Sequence, residues 1–566
     1  MKLIIDGYVY WVRTGQSLLD IVRELGLIAG KLSTDPIAAK IAGEVFTLNY
    51  IPMREKDAAH ERESIRKAMA SADGVVRLLR YSDPSGKDAY RRTAQFVLFL
   101  AIRKLWPKAR AKMNCTVGSG MYIKIAGAED FSAERLKRCV EEIIAEDIPL
   151  IRRRISTSEA MDYFTRQGQY DKSRLLTYRA SPYLDVYGYG DFIDYYYGEM
   201  APSTGFLRVW DILPAKNGFI FVFPDRNDPD RISHYREMTN FMKVYDEGKQ
   251  WGELMRCETV ADLNELVDSG RLRELIRVNE ALHEKNFSQV ADSICERGAK
   301  AVMLAGPSSS GKTTSANRLA TQLRCHGKTP ILISLDDYYL DRDKIAPGED
   351  GKVDLEHINT IDTELFGEQL TALLRGEEIE LPSFNFKTGR REWRGKVLKL
   401  DERSVIIVEG IHALNPVLLP NELEKRAVFK IFVSPLLPLS LDDHNRIPTS
   451  YLRLLRRTVR DHDTRNSPIQ QTLAMWDSVR RGEGRWILPF QEEADVIFNT
   501  STLYELAVLK KHIYPLLCAV EPEEECYEQV RAMVKILNYI HEADVDDEIP
   551  PTSIIREFIG GNAFYR

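Results

Sequence analysis

Residues 301–314, Ala-Val-Met-Leu-Ala-Gly-Pro-Ser-Ser-Ser-Gly-Lys-Thr-Thr, end an apolar run in a complete G-x-x-x-x-G-K-T. Gly306 and Gly311 let the backbone turn so that the amides of Ser308, Ser309, Ser310 and Gly311 face one concavity, a ready cradle for phosphate. Lys312 is then placed for the β- and γ-phosphates, Thr313 offers its hydroxyl to Mg²⁺, and Thr314 opens a helix whose dipole favours an anion. The flanks agree with this chemistry. Val302, Met303 and Leu304 read as a buried strand, and Ala316, Leu319, Ala320 and Leu323 recur at helical spacing.

Two further strands deliver carboxylates to the same edge. Ile331–Leu335 leads into Asp336-Asp337-Tyr338-Tyr339, one helix and one strand beyond Lys312 as in a βαβ unit. An acid there can take the proton of a hydroxyl that attacks a γ-phosphoryl group; capping of a helix by either Asp is the lesser alternative. Val405–Val408 leads into Glu409-Gly410, a carboxylate suited to Mg²⁺.

From about 295 to 500 these motifs, with Asp354 and Asp362, Leu381–Phe386 and Arg453–Asp461, resemble the uridine kinase and phosphoribulokinase family of P-loop kinases. The resemblance implies ATP and Mg²⁺, Asp336 as catalytic base with Tyr339 beside it, and Asp354 as a contact to sugar hydroxyls. It also implies a lid of Arg457, Arg460 and Arg465 over the phosphates. Uridine kinases place a Tyr where Phe384 stands, a His where Gly389 stands, and an Arg and a Gln where Ser467 and Met475 stand. Without those donors and acceptors a pyrimidine edge is poorly discriminated. Phe384 keeps a stacking face, and Lys387, Arg390, Arg391 and His444 are candidate polar contacts in their place.

With 566 residues the chain is too long for one core, so several α/β and α+β domains are expected. Residues 1–62 show a hairpin at Asp6-Gly7, a helix capped by Ser17 and Asp20, and two more strands, and resemble the β-grasp TGS domain of threonyl-tRNA synthetases. Residues 63–226, with a helix from Arg91 to Leu105 and the run Tyr197–Gly205, resemble the editing domain that follows TGS. That family's His-x-x-x-His and Cys-x-x-x-His are matched here by Arg91, Gln95, Tyr196 and Met200, a set unsuited to a metal, so hydrolytic activity is expected to be absent. The tyrosines from Tyr183 to Tyr197 read as strand core or interface rather than a base-stacking platform. A helical segment 227–292, the P-loop kinase-like domain 293–500 and a helical extension 501–566, broken at Pro515, complete the expected α/β multidomain fold.

A net charge of −6 with 44% apolar and 29% charged residues gives no global basic field for nucleic acid. The lack of an h-region or long apolar run points to the cytoplasm, without a membrane. The seven cysteines form no C-x-x-C pair and read as reduced thiols. The expected activity is phosphorylation of a nucleoside or other polyol hydroxyl. The competing reading is an ATP-switched regulator that binds RNA or a partner through its front half, and the number of domains makes oligomer interfaces plausible.

Overall fold

The computed structural model describes residues 2–13, 15–52, 74–345, 354, 356–419, 425–521 and 524–564. Strands β1 (Lys2–Ile5) and β2 (Tyr8–Trp11) turn at Asp6 and Gly7, both at positive φ. Helix α1 (Leu18–Glu24) starts in a capping box between Ser17 and Asp20. Strands β3 (Ala38–Ile41), β4 (Glu44–Thr47) and β5 (Gly74–Leu79) complete a sheet of order β2-β1-β5-β3-β4. The expected boundary at 62 lies outside the described residues. Its consequence does not: β5, expected in the second unit, is the central strand of this first sheet, parallel to β1 and antiparallel to β3.

Helix α2 spans Pro84–Leu105, seven residues longer at its start than the expected Arg91, because Pro84 takes the first helical position where its missing N–H costs nothing. Strands β6 (Arg110–Val117) and β7 (Gly120–Ala126), helix α3 (Ala133–Ala145), strand β8 (Arg153–Ser156), helices α4 (Thr157–Arg166) and α5 (Tyr170–Leu176), and strands β9 (Tyr183–Tyr189), β10 (Phe192–Asp194), β11 (Asp211–Ala215) and β12 (Gly218–Val222) follow. They form sheets β11-β12-β7-β6 and β10-β9-β8. Residues of α2, β6 and β12 share one apolar core with the first sheet. Tyr187, Tyr195 and Tyr196 are buried, as a core role requires, whereas Tyr183 and Tyr189 are exposed.

Helices α6 (Thr239–Leu254), α7 (Val260–Asp268) and α8 (Leu272–Arg297) lead into strand β13 (Ala301–Ala305) and helix α9 (Lys312–Cys325). Strand β14 (Thr329–Ser334), helix α10 (Thr363–Leu374), the hairpin β15 (Ile379–Asn385) and β16 (Arg390–Leu398), and strands β17 (Ser404–Glu409) and β18 (Val428–Ser434) come next. Helices α11 (Thr449–Arg465) and α12 (Ile469–Trp486) precede strand β19 (Val496–Asn499). The resulting sheet, β14-β17-β13-β18-β19, is parallel throughout. Its apolar residues alternate between two covered faces, Met303 with one and Val302 and Leu304 with the other. The register sets Leu304 and Ser334 on either side of Glu409, which brings three strand ends to one edge.

Helix α13 (Glu505–Cys518) runs through Pro515 instead of stopping there, since Ile513 and Leu517 on both sides of it are buried. Helices α14 (Tyr527–Leu537) and α15 (Arg556–Ile559) close the chain. The C-terminal segment is part of the kinase core, because Ile554 and Phe558 pack with Val302 and Leu304 of β13. The front half is joined to the lid region by a buried ionic cluster. Lys172 and Asp194 pair at zero exposure, and His444, just before α11, stacks on Phe99 with ring centroids 3.6 Å apart and bonds Asp194 at 2.5 Å. The Tyr195 hydroxyl donates to Asp442 at 2.8 Å. His444 is thereby removed from the acceptor contacts expected of it.

Candidate active site

β13 opens into the loop Gly306–Gly311, where Ser309 (φ +58°) and Gly311 (φ +84°) adopt left-handed conformations that turn successive amides inward. A Cβ on Gly306 would lie 2.3 Å from the Val433 carbonyl oxygen, so only glycine passes beneath β18. The Ser309 and Ser310 hydroxyls are buried and find no protein partner among the described residues. Orphaned donors around inward-turned amides fit a bound phosphate chain. Lys312 donates to the Pro307 carbonyl at 3.2 Å, at hand for such a ligand. The Thr313 hydroxyl lies 3.5 Å from the Glu409 carboxylate, a pair of oxygen donors that suits Mg²⁺.

Asp336 follows β14 in a tight turn whose amide is capped by the Ser334 hydroxyl. Asp336 is half-buried and closely surrounded, and burial pushes its pKa up while Lys312 opposes the rise, Asp337 adds to it, and Arg465 opposes it. The capping alternative falls to neighbours: Asp362 caps α10, and Asp337 accepts from the Phe384 amide at 3.1 Å, tying β15 to this turn. Tyr339, Phe384 and Phe386 form an aromatic cluster with centroids 5.2–6.4 Å apart. Asp354 accepts from the Glu356 amide and so shapes its own turn.

Among the polar substitutes expected around Phe384, Arg391 is differently employed. Arg391 donates to Asp362 and to the Tyr338 and Tyr339 carbonyls, which braces the turn instead of facing an acceptor. Gly389 (φ +69°) leaves a space filled by Arg342, whose Cδ lies 2.6 Å from where a Cβ would sit, and whose guanidinium donates to the Phe386 carbonyl. A side chain at position 389 would displace it.

On α11, Arg457 donates to the Ser308 hydroxyl at 3.0 Å, and Arg457, Arg460 and Arg465 all gather on Asp461, at 3.2, 2.8 and 3.5 Å. The three candidate lid arginines are therefore clustered, with Arg457 already on the cradle.

Four residues that carry much of this site escaped the sequence. Glu483, fully buried on α12, grips Arg453 with both oxygens, accepts from Arg480 at 2.9 Å and takes the Ser308 amide at 3.2 Å. Glu557 of α15 accepts from both the amide and the hydroxyl of Thr314, so the chain's own carboxylate engages two donors of the cradle. Glu356 is pushed up to about 7 by burial and by Glu483. Thr500 donates to the Ser310 carbonyl at 2.6 Å. None belongs to a local motif; Glu483 lies 30 residues beyond Arg453 and on the next helix.

Glu409 is likewise raised to about 7, by burial first and by Asp336 next. With a folded pKa above the unfolded value near 4.3, the folded state keeps a proton that the unfolded chain releases, so stability falls as pH rises from about 4.5 and the loss is complete above about 7. Thermal melts across that window are expected to show Glu409→Gln gaining on the parent protein as pH rises, by up to about 3 kcal/mol. A constant difference between the two proteins would contradict this assignment.

In the front half, Gln95 donates to the Met113 sulfur at 3.3 Å, Arg91 lies over the Phe223 ring, Met200 is buried, and Tyr196 donates to Asp194. It is the neighbouring Arg92 that turns toward Gly198 and Glu199.

A parallel sheet whose central strand opens into this cradle, with acids at the ends of the adjacent strand β17 and of β14 beyond it and an arginine helix above, defines a P-loop kinase. The model of the Phosphoribulokinase / Uridine kinase family matches residues 301–506, and a uridine kinase of Ligilactobacillus salivarius is 32% identical over 193 residues, 34% of this chain and 81% of that kinase. The chain belongs to that family. The N-terminal half is similar to threonine–tRNA ligases: that of Desulforamulus reducens is 30% identical over 207 residues, 36% of this chain and 29% of the ligase. The chain thus spans less than a third of the length of that ligase. Among solved structures, one described as a possible uridine kinase from Bacillus stearothermophilus is 19% identical, with a TM-score of 0.27, covering 38% of this chain and 98% of that one. No helix among the described residues is long and apolar enough to cross a membrane.

Proposed function

We propose that the protein transfers the γ-phosphoryl group of ATP to a hydroxyl of a nucleoside or related polyol, with Asp336 as the base. The observation that carries this reading is the carboxyl of Asp336, beside Lys312 and Arg465 and next to the Tyr339–Phe384–Phe386 cluster. An acceptor lying on those rings presents its hydroxyl to Asp336. The hydroxyl oxygen attacks phosphorus, the bond to the β,γ-bridging oxygen breaks, and the proton passes to Asp336 while ADP leaves. Gly306, Ser308–Gly311, Lys312 and Thr314 hold the phosphates, and Arg457, Arg460 and Arg465 neutralise the charge that spreads over the transferring group. Thr313 and Glu409 would hold Mg²⁺, which would supply positive charge to offset that of the phosphates. The raised pKa of Asp336 supports the proton-accepting role, because a base nearer neutrality is better matched to its task. In this reading Asp354 contacts acceptor hydroxyls and the synthetase-like front half is a non-hydrolytic scaffold.

The test is ADP release across a panel of nucleosides, sugars and polyols, with the Asp336→Asn protein as blank. Acceptor-dependent release well above the blank is expected. Release equal to the blank for every acceptor would sink the proposal, and ATP hydrolysis stimulated by RNA but indifferent to nucleosides would favour the regulator instead.

A further inference from the structure

A cleft of about 1020 Å³ lies away from the phosphate cradle, where the first sheet, the Tyr197–Glu199 loop, α14 and the lid helices meet. The charges along its rim are paired: Lys40 with Glu528 at 2.7 Å, Arg77 with Asp83 at 2.8 Å and Arg154 with Asp185 at 2.8 Å. The inner corner is different. Arg92 donates to the Glu199 carbonyl at 3.1 Å and Arg152 pairs with the Glu199 carboxylate at 2.6 Å. Arg531 and Lys535 of α14 line the same corner, and neither pairs with a carboxylate among the described residues. Four cations there face Glu199, Glu44, which acts on both Arg152 and Lys535, and Asp88, 3.9 Å from Arg92. Lys535 is open to the cleft yet surrounded by protein. Burial holds its ammonium below the ordinary lysine range, Glu199 opposes that, and Arg92 and Arg152 add to it.

A corner where cations outnumber carboxylates, in a concave site with low-dielectric walls, attracts an anion, and guanidinium forks match phosphate oxygens two at a time. The cleft is far larger than a bare phosphate and is sized for a small molecule. Its wall is shared with the kinase: Trp476 lines it and stacks under Arg453 at 5.3 Å, and Arg453 donates to the Ser308 carbonyl of the cradle at 3.0 Å. We infer that the corner formed by Arg92, Arg152, Arg531 and Lys535 binds the phosphate group of a small phosphate monoester, at a site separate from the phosphate cradle. Its occupancy is sensed at Trp476.

Calorimetric titration of the full chain carrying Lys312→Ala, which weakens anion binding at the cradle, tests this with uridine monophosphate and inorganic phosphate as probes. Uridine monophosphate is expected to bind with a Kd below about 1 mM and to change tryptophan emission. Adding Arg531→Ala and Lys535→Ala is expected to weaken it about tenfold or more at an unchanged urea midpoint, and Trp476→Phe to remove the emission change while heat remains. Equal affinity for inorganic phosphate assigns the corner to free phosphate and still supports it. Binding unaffected by loss of Arg531 and Lys535, or no binding of either probe, overturns the inference.

Discussion

Asp336→Asn is expected to lower kcat by about 10²–10⁴, the usual contribution of a positioned general base, with little change in KM for ATP. The substitution keeps the shape of the side chain and the Ser334 cap on its backbone, so the turn is preserved. What it removes is the proton acceptor. It also removes a partly desolvated carboxyl whose pKa burial raises, so the variant should melt no lower than the parent and lost activity cannot be ascribed to unfolding. Steady-state kinetics with the best acceptor, together with a thermal melt, decide the matter. A variant that retains a tenth or more of kcat would move the base elsewhere, with Glu356, raised to about 7 nearby, as the next group to substitute.

Glu483→Ala is expected to cost about 3–5 kcal/mol of stability, because it strands a buried guanidinium. Arg453 is 2% exposed and Glu483 is 0% exposed, and the carboxylate satisfies Arg453, Arg480 and the Ser308 amide together. Water cannot replace it at that depth. The same change frees the first turn of the cradle, so affinity for ATP should fall along with stability. Glu483→Gln, which keeps an acceptor for Ser308 or Arg453 but not the charge, should fall between the two. Urea unfolding and nucleotide titration are the measurements; an Ala variant with the urea midpoint of the parent would show that the cluster contributes nothing net.

The cradle, the carboxylates at the ends of β14 and β17, and the run of strands and helices around them were legible in the sequence because each is local. A phosphate loop needs particular residues at fixed offsets, and the buried strands before Asp336 and Glu409 announce themselves as continuous apolar runs. The pairing of strand β5 was not legible, because Gly-Val-Val-Arg-Leu-Leu says nothing about its neighbours, and its pairing with β1 and β3 is a long-range choice. Pro515 was read as a helix end, and burial of the residues around it overrode that local preference.

By itself, then, the sequence determined the phosphate chemistry at Gly306–Thr314, the candidate base at Asp336 and the kinship of each half, since these rest on residue type and spacing. Tertiary structure alone decided that Glu483 and Glu557 hold the cradle, that His444 is locked against Asp194 and Phe99, that Arg342 fills the space over Gly389, and that Arg531 and Lys535 meet Arg92 and Arg152. The reason is physical. A buried charge is tolerated only where a partner meets it, and the partners here come from separate elements, 30 residues apart for Glu483 and Arg453 and 250 for Asp194 and His444, which no pattern along the chain records.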